Sequence, residues 1–179
     1  MKENVVIENI VVSLNLYQNI PLAKLSKKFL EVEYEPEIFP GAILKFINPK
    51  CTALLFQNGK IICTGNKSLE DVEKVKKKVF SVLKKVGVEV KKYDEEIVNV
   101  VASLELGFEV DLERLAFDLE NCEFEPEQFP GLIYRKEQPK IIFLVFRSGR
   151  IISTGTKDVK IAKEELKNFA EKVKEYKLQ

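Results

Sequence analysis

The chain contains no histidine among its 179 residues and only three cysteines. Histidine is the commonest general base and the commonest metal ligand of proteins, so its absence argues against hydrolytic and zinc chemistry. Cys51, Cys63 and Cys122 are odd in number and include no C-x-x-C pair. Their spacing predicts reduced, mostly buried thiols and no disulfide framework.

Long apolar runs and catalytic motifs are also missing. No stretch of eighteen apolar residues occurs, and the first residues, MKENVVIENI, lack a secretory pattern, so we expect neither membrane insertion nor export. The sequence holds no G-x-x-x-x-G-K-[ST], no G-x-S-x-G and no spaced acidic metal motif. We therefore expect a cytoplasmic protein that is not an enzyme and needs neither a cofactor nor a metal.

The sequence contains an internal duplication with an interval of ninety residues. Aligned without a gap, seventeen of the thirty-three positions from 33 to 65 are identical to their partners. Near the start of each half, NIVVSLNL from Asn9 matches NVVASLEL from Asn99, and both segments alternate as strands do. The duplication predicts two tandem domains, residues 1–89 and 90–179.

Each half has the pattern of a strand, a short helix (about 22–30 and 112–120), several strands and a long helix. Ser68 and Asp158 are suitable N-caps for the long helices. Apolar residues recur at helical spacing in both: Leu69, Val72, Val75, Val79, Val82, Leu83 and Val86, then Ala162, Leu166, Phe169, Ala170 and Val173. This pattern predicts an α+β fold in which helices cover one face of an antiparallel sheet and leave the other open.

The hairpins FQNGKIICTG and FRSGRIISTG set the strand register. Because Ser148 accepts positive φ poorly, a loop of three residues ending at Gly59 or Gly149 is favoured in both. Leu54 then faces Ile62 and Thr52 faces Thr64, on the side that carries Phe56. The second half repeats this face with Leu144, Ile152, Thr154 and Phe146, and the first strands add Asn9, Val11 and Ser13, and Asn99, Val101 and Ser103.

Two kinds of residue on this face are unusual. Asparagine is poorly suited to a strand, and although one copy could be an edge or turn residue, Asn9 and Asn99 at matched sites indicate a partner with hydrogen-bonding groups. Phe39 and Phe129 precede Pro-Gly, while Phe56 and Phe146 open tight hairpins. A core position is usual for phenylalanine. Rings at loop edges, however, can act as wedges between stacked bases.

The duplicated EPE-x-FPG-x-I, L-x-F-x-[NS]-G-[KR]-I-I-x-TG and N-[IV]-V segments resemble those of archaeal-type TATA-box-binding proteins over residues 7–177. The resemblance implies two tandem pseudo-symmetric repeats that form a saddle, with one curved antiparallel sheet and helices on the convex face. It further implies a general transcription initiation factor that binds the minor groove of A·T-rich TATA promoter DNA. This family is itself a standard example of minor-groove kinking, so that mechanism comes with the resemblance.

The resemblance also implies roles for individual residues. The base steps at the two ends of the site are kinked by two pairs of wedges: Phe39 with Phe56, and Phe129 with Phe146. The bases are contacted by the amides of Asn9 and Asn99, by the hydroxyls of Thr64 and Thr154, and by the apolar side chains of Val11, Val101, Leu54, Leu144, Ile62 and Ile152. Phosphate contacts fall on Lys45, Lys60, Arg135 and Arg150, for which solvated surface charge is the alternative.

Partners follow from the same resemblance. Glu125 and Glu127 match the family's contact with transcription factor B, through which RNA polymerase is recruited, and DNA binding implies association with the nucleoid. The basic positions Lys74 to Lys78, Lys84 and Lys85 are either a solvated helix face or a site for another regulator or upstream DNA. A large exposed apolar sheet also favours a homodimer when the protein is free.

Two other classes of function remain open on the sequence. One is a related saddle domain that serves as an accessory module of a nucleic-acid-processing enzyme, which would require a separate catalytic chain. The other is a carrier of lipids or small molecules beneath long helices, in which paired asparagines and loop phenylalanines have no role.

Overall fold

The computed structural model describes residues 4–179, which divide into two compact units. The first unit is Asn9–Val98, and the second is Asn99–Gln179 together with the residues up to Glu8. The domain boundary predicted at residues 89 and 90 is not tested by this division and stays a prediction.

The first unit is built on antiparallel strands in the order β2-β3-β4-β5-β1. Its elements are β1 (Val6–Asn15, within the unit from Asn9 on), α1 (Leu22–Lys28), β2 (Val32–Glu33), β3 (Ala42–Ile47), β4 (Lys50–Leu55), β5 (Lys60–Asn66) and α2 (Leu69–Lys84).

The second unit repeats this arrangement, with strands in the order β6-β10-β9-β8-β7. Its elements are β6 (Asp94–Glu105, within the unit from Asn99 on), α3 (Leu112–Asp118), β7 (Cys122–Glu123), β8 (Leu132–Glu137), β9 (Lys140–Val145), β10 (Arg150–Thr156) and α4 (Val159–Val173), which a short 3₁₀ turn follows at Lys174–Tyr176.

Both long helices begin at the predicted caps. The Ser68 hydroxyl accepts a hydrogen bond from the Asp71 N–H at 3.0 Å, and the Asp158 carboxylate accepts one from the Ile161 N–H at 2.9 Å. Each cap satisfies a backbone donor that the first helical turn leaves free. The predicted apolar stripes are buried apart from Leu69, which is 54% exposed, and Val82, which is half-buried. Leu69 is the first residue of α2, so it has the helical spacing of the stripe without its burial.

A charged residue, Lys76, takes a buried place in the stripe of α2. Its ammonium group donates to Glu73 at 2.7 Å and to Glu95 at 3.1 Å, and it lies 5.3 Å from the centre of the Tyr93 ring. Burial lowers the pKa of Lys76, but the bonds to the two glutamates and to Tyr93 more than reverse this, so its pKa is raised. The pairing keeps a buried charge compensated.

The hairpin register is as predicted. Across β4 and β5, Thr52 faces Thr64 and Leu54 faces Ile62, and across β9 and β10, Leu144 faces Ile152. Both loops have three residues and end at glycines with φ of 92° and 93°, Gly59 and Gly149. Strand alternation buries Ile10, Val12 and Leu14 on the helix-covered side.

The three thiols are free, as the sequence predicted. Cys51 and Cys63 are buried against the helix-covered side, and Cys122 is half-buried. Burial raises the pKa of Cys51 to about 11 and that of Cys63 to about 12. The helices within residues 4–179 include none with the length and hydrophobicity that a membrane-spanning helix requires.

Candidate nucleic-acid interface

Within residues 4–179, each unit has one sheet face that no helix covers, and the predicted base-contact residues all lie there. We call these the open faces: Asn9, Val11, Leu54, Ile62 and Thr64 in the first unit, and Asn99, Val101, Leu144, Ile152 and Thr154 in the second. All ten side chains are half-buried, whereas their neighbours along each strand are mostly buried on the other side. A strand with period two explains the separation, since successive side chains point to opposite faces.

Two phenylalanine pairs lie at the turns beside the open faces. The ring centroids of Phe39 and Phe56 are 5.8 Å apart at 70°, and those of Phe129 and Phe146 are 5.8 Å apart at 68°. This edge-to-face geometry is favourable for aromatic pairs. All four rings are half-buried, so none of them lies in the fully buried core.

The glycine of each Pro-Gly turn explains why a phenylalanine lies beside it. A Cβ on Gly131 would lie 3.0 Å from Cε1 of both Phe129 and Phe146, and one on Gly41 would lie 2.9 Å from Phe39. The rings therefore pack directly on glycine backbone, at a distance that any larger residue would prevent.

The two open-face asparagines are held in one orientation. The Gly65 N–H donates to Oδ1 of Asn9 at 2.7 Å, and Nδ2 of Asn9 donates to Oγ1 of Thr64 at 3.0 Å. The second unit repeats this, with Gly155 at 2.8 Å and Thr154 at 3.0 Å from Asn99. Oδ1 accepts from a backbone donor and one amide N–H donates to the threonine hydroxyl, so the other N–H of each amide has no acceptor among residues 4–179.

Three of the four predicted phosphate contacts are paired with carboxylates. Lys45 lies 3.5 Å from Glu33, and Arg135 lies 3.0 Å from Glu123. Lys60 is exposed and has no ion pair within the described part of the chain. The exposed pairs contribute little stability, so their cations can exchange one anion for another at little cost.

Arg150 belongs to a cluster that sequence reasoning missed. It lies 3.5 Å from both Glu8 and Glu105, and the Ser103 hydroxyl donates to Glu8 at 2.7 Å. These residues line a groove of about 720 Å³ in the second unit. The duplication could not indicate the cluster, because the position ninety residues after Glu8 is Val98.

The predicted partner-binding glutamates lie on an exposed turn of the second unit. The N–H groups of Gln128 and Phe129 both donate to the Glu125 carbonyl at 2.9 Å, and the side chains of Glu125 and Glu127 are exposed. Within residues 4–179, no group of histidine, cysteine, aspartate or glutamate is arranged to hold a metal ion.

Comparison with known proteins gives consistent results over nearly the whole chain. The family model "Transcription factor TFIID (or TATA-binding protein, TBP)" matches residues 4–86 and again residues 94–176. The chain is 40% identical to the TATA-box-binding protein of Archaeoglobus fulgidus, covering 94% of this chain and 93% of that protein, and 42% identical to that of Methanocaldococcus jannaschii, covering 98% and 96%.

A solved structure, described as Methanococcus jannaschii TBP, superposes with a TM-score of 0.84 at 41% identity, covering 96% of this chain and 99% of that one. The match confirms the predicted fold class, an α+β fold of two tandem repeats, each with antiparallel strands and, within residues 4–179, two α-helices. These proteins are transcription factors, which confirms the prediction that this one is not an enzyme. The chain belongs to the TATA-binding protein family.

Proposed function

We propose that this protein is a general transcription initiation factor that binds the minor groove of A·T-rich TATA promoter DNA. The observation that carries the proposal is the pair of outward-facing amides, Asn9 and Asn99, each fixed in the same way within a half-buried apolar face. An unused donor among apolar side chains suits a surface that presents hydrogen-bond acceptors and little charge. The floor of an A·T minor groove is such a surface, since it carries only A N3 and T O2.

Discrimination against G·C pairs follows from the same face. The guanine N2 amino group projects into the minor groove as a donor, and it would meet the amide N–H groups or the apolar side chains. Leu54 and Ile62 face each other across their hairpin, as do Leu144 and Ile152, and neither pair can accept a hydrogen bond. A buried donor left without an acceptor costs about 1–3 kcal/mol.

The phenylalanine pairs supply the bending in this proposal. Phe39 with Phe56 and Phe129 with Phe146 enter base steps at the ends of the site and unstack them, so that the groove opens over the apolar faces. Edge-to-face packing on glycine holds each pair rigid before DNA arrives, which reduces the entropy lost on binding.

Phosphate contacts come from Lys45, Lys60, Arg135 and Arg150. Three of these cations leave carboxylates to reach phosphates, so each exchanges one ion pair for another. The net electrostatic gain is therefore small, and apolar burial with groove shape provides most of the specific affinity.

Further partners follow from the family. The exposed turn with Glu125 and Glu127 is the surface proposed for transcription factor B, which in turn recruits RNA polymerase to DNA in the nucleoid of the cytoplasm. The proposed repeats remain residues 1–89 and 90–179. Free protein is proposed to pair as a homodimer through its open faces, because their apolar side chains are then withdrawn from water.

End-labelled fluorescence energy transfer on a short TATA duplex tests this function. The wild-type protein should bend the TATA duplex and leave a G·C-substituted duplex straight, and Phe129→Ala should abolish the bend. Phe117→Ala is the matched control, because Phe117 is 91% exposed on α3, away from the open face. A bend that survived Phe129→Ala, or was lost equally in Phe117→Ala, would contradict the proposed role of the wedge.

A further inference from the structure

The helices of the first unit carry a lysine-rich surface that the proposed function does not use. On α2 the exposed face opposite the buried stripe holds Lys77, Lys78, Lys84 and, at its C-cap, Lys85. These lysines recur at helical spacing over about 12 Å of the helix, with no acidic residue between them. We call this set, together with Lys24 of α1, the basic helix face.

Helix α1 brings Lys24 and Lys28 to the end of α2. The Lys28 ammonium group donates to the Lys85 carbonyl at 2.7 Å, and Nζ of Lys24 lies 4.0 Å from the place of a Cβ on Gly87. Lys28 therefore caps the C-terminus of α2, which is a structural role. Lys24, Lys77 and Lys84 are exposed and make no hydrogen bond or ion pair within the described part of the chain.

The second unit provides an internal comparison, because it has the same fold without this charge. Helices α1 and α2 contain eight lysines and three acidic residues, whereas α3 and α4 contain five basic and five acidic residues. Ninety residues after Lys28, Lys74 and Lys85, the chain has Asp118, Glu164 and Glu175. A role in folding would be needed equally in both units, so the fold does not account for the net charge of +5 on the first pair of helices.

We propose that the basic helix face binds the phosphate backbone of duplex DNA outside the TATA element. Lysine ammonium groups act as point charges toward phosphates and require no base sequence. Protein-binding surfaces are instead depleted of lysine and enriched in aromatic side chains. The aromatic rings beside this face already have partners within the unit: Phe80 packs against Tyr93, and the rings of Phe46 and Phe29 each lie 5.9 Å from an ammonium group, that of Lys78 and that of Lys85 respectively. In the first unit α2 covers the side of the sheet opposite the open face, so a duplex confined to the open face does not reach these lysines.

Salt titrations of binding to a TATA-free duplex of about 40 base pairs test the proposal. The test variant is Lys24→Glu/Lys77→Glu/Lys84→Glu, and the control is Lys160→Glu/Lys163→Glu/Lys167→Glu, the same charge change on α4. Each phosphate contact contributes about 0.9 to the slope of log affinity against log salt, so the test variant should lose about 2.7 of the slope and at least about tenfold in affinity near 0.1 M salt. The control variant should keep most of the salt slope and most of the affinity.

If the two variants lost slope and affinity equally, net charge alone would explain the effect and the proposal would be overturned. An unchanged slope in the test variant would also overturn it. A TATA duplex of about 14 base pairs, long enough for the open face only, should still bind to both variants; this separates the proposal from the proposed function. If charge reversal also abolished binding to the short TATA duplex, the neutral variant Lys24→Gln/Lys77→Gln/Lys84→Gln provides the decisive test. The proposal requires this neutral variant to show a smaller slope of log affinity against log salt on the long duplex and unchanged binding to the short TATA duplex.

Discussion

Substitution of Gly131 by alanine should disturb the Phe129–Phe146 pair without replacing either phenylalanine. The new Cβ would lie 3.0 Å from Cε1 of both rings and 3.3 Å from Cδ1 of Phe146. Ordinary contacts begin near 3.5 Å, so both rings have to move by about 0.5 Å. Overpacking of this kind costs about 1–3 kcal/mol, and the lower end applies here because half-buried rings can move outward.

The first unit should respond more strongly to the equivalent change. A Cβ on Gly41 would lie 2.9 Å from Phe39, 3.0 Å from Phe56 and 3.2 Å from the Leu55 carbonyl oxygen, and that oxygen cannot rotate away. The destabilisation caused by Gly41→Ala is therefore expected at the upper end of the range of about 1–3 kcal/mol. For a chain of this length, about 1 kcal/mol lowers the unfolding midpoint by about 2–4 °C.

Thermal unfolding and energy-transfer bending, measured together, check both expectations. Gly131→Ala should lower the midpoint slightly and reduce the TATA bend, and the stability loss should shrink in a Phe146→Ala background, where one ring is gone. If Gly131→Ala left the midpoint and the bend unchanged, or if its cost were the same without the Phe146 ring, the packing of the rings on glycine would be refuted.

Three further results are expected. Asn99→Asp keeps an acceptor for the Gly155 N–H but removes the amide donors, so affinity for TATA DNA should fall by about 1–3 kcal/mol in equilibrium titration; wild-type affinity would contradict the minor-groove contact. Ser153→Ala removes a buried hydroxyl that has no hydrogen-bond partner within residues 4–179, so the urea midpoint should rise by the equivalent of about 1 kcal/mol, and a fall would show that the hydroxyl is satisfied. Because burial raises the pKa of Cys51 from 9.0 to about 11, the native state keeps a proton that the unfolded chain loses; the stability present below pH 9 should decline as pH rises to about 11, and a flat profile would contradict the burial.

The sequence was sufficient to predict the open faces because two independent signals agree there. Strand alternation separates Val11 from Val12, and the ninety-residue duplication requires Val101 to follow the same rule as Val11. The hairpin register followed from turn chemistry, since a three-residue loop that suits Gly59 also suits Gly149.

Other features depend on contacts that local patterns do not contain. Lys76 sits in an apolar stripe because Glu95, nineteen residues later, reaches it, and no helical periodicity predicts that pairing. The orientation of Asn9 depends on the Gly65 N–H, fifty-six residues away. Leu69 has the helical spacing of a core residue, but exposure at a helix end depends on where the sheet stops.

The most direct test of minor-groove reading is affinity for a TATA duplex in which inosine–cytosine pairs replace the A·T pairs. Such pairs present an A·T-like minor groove, without the N2 amino group, and a G·C-like major groove. The protein should bind this duplex nearly as tightly as the A·T original, and the G·C duplex more than about tenfold more weakly. Equally weak binding to the inosine and G·C duplexes would contradict recognition through the open faces.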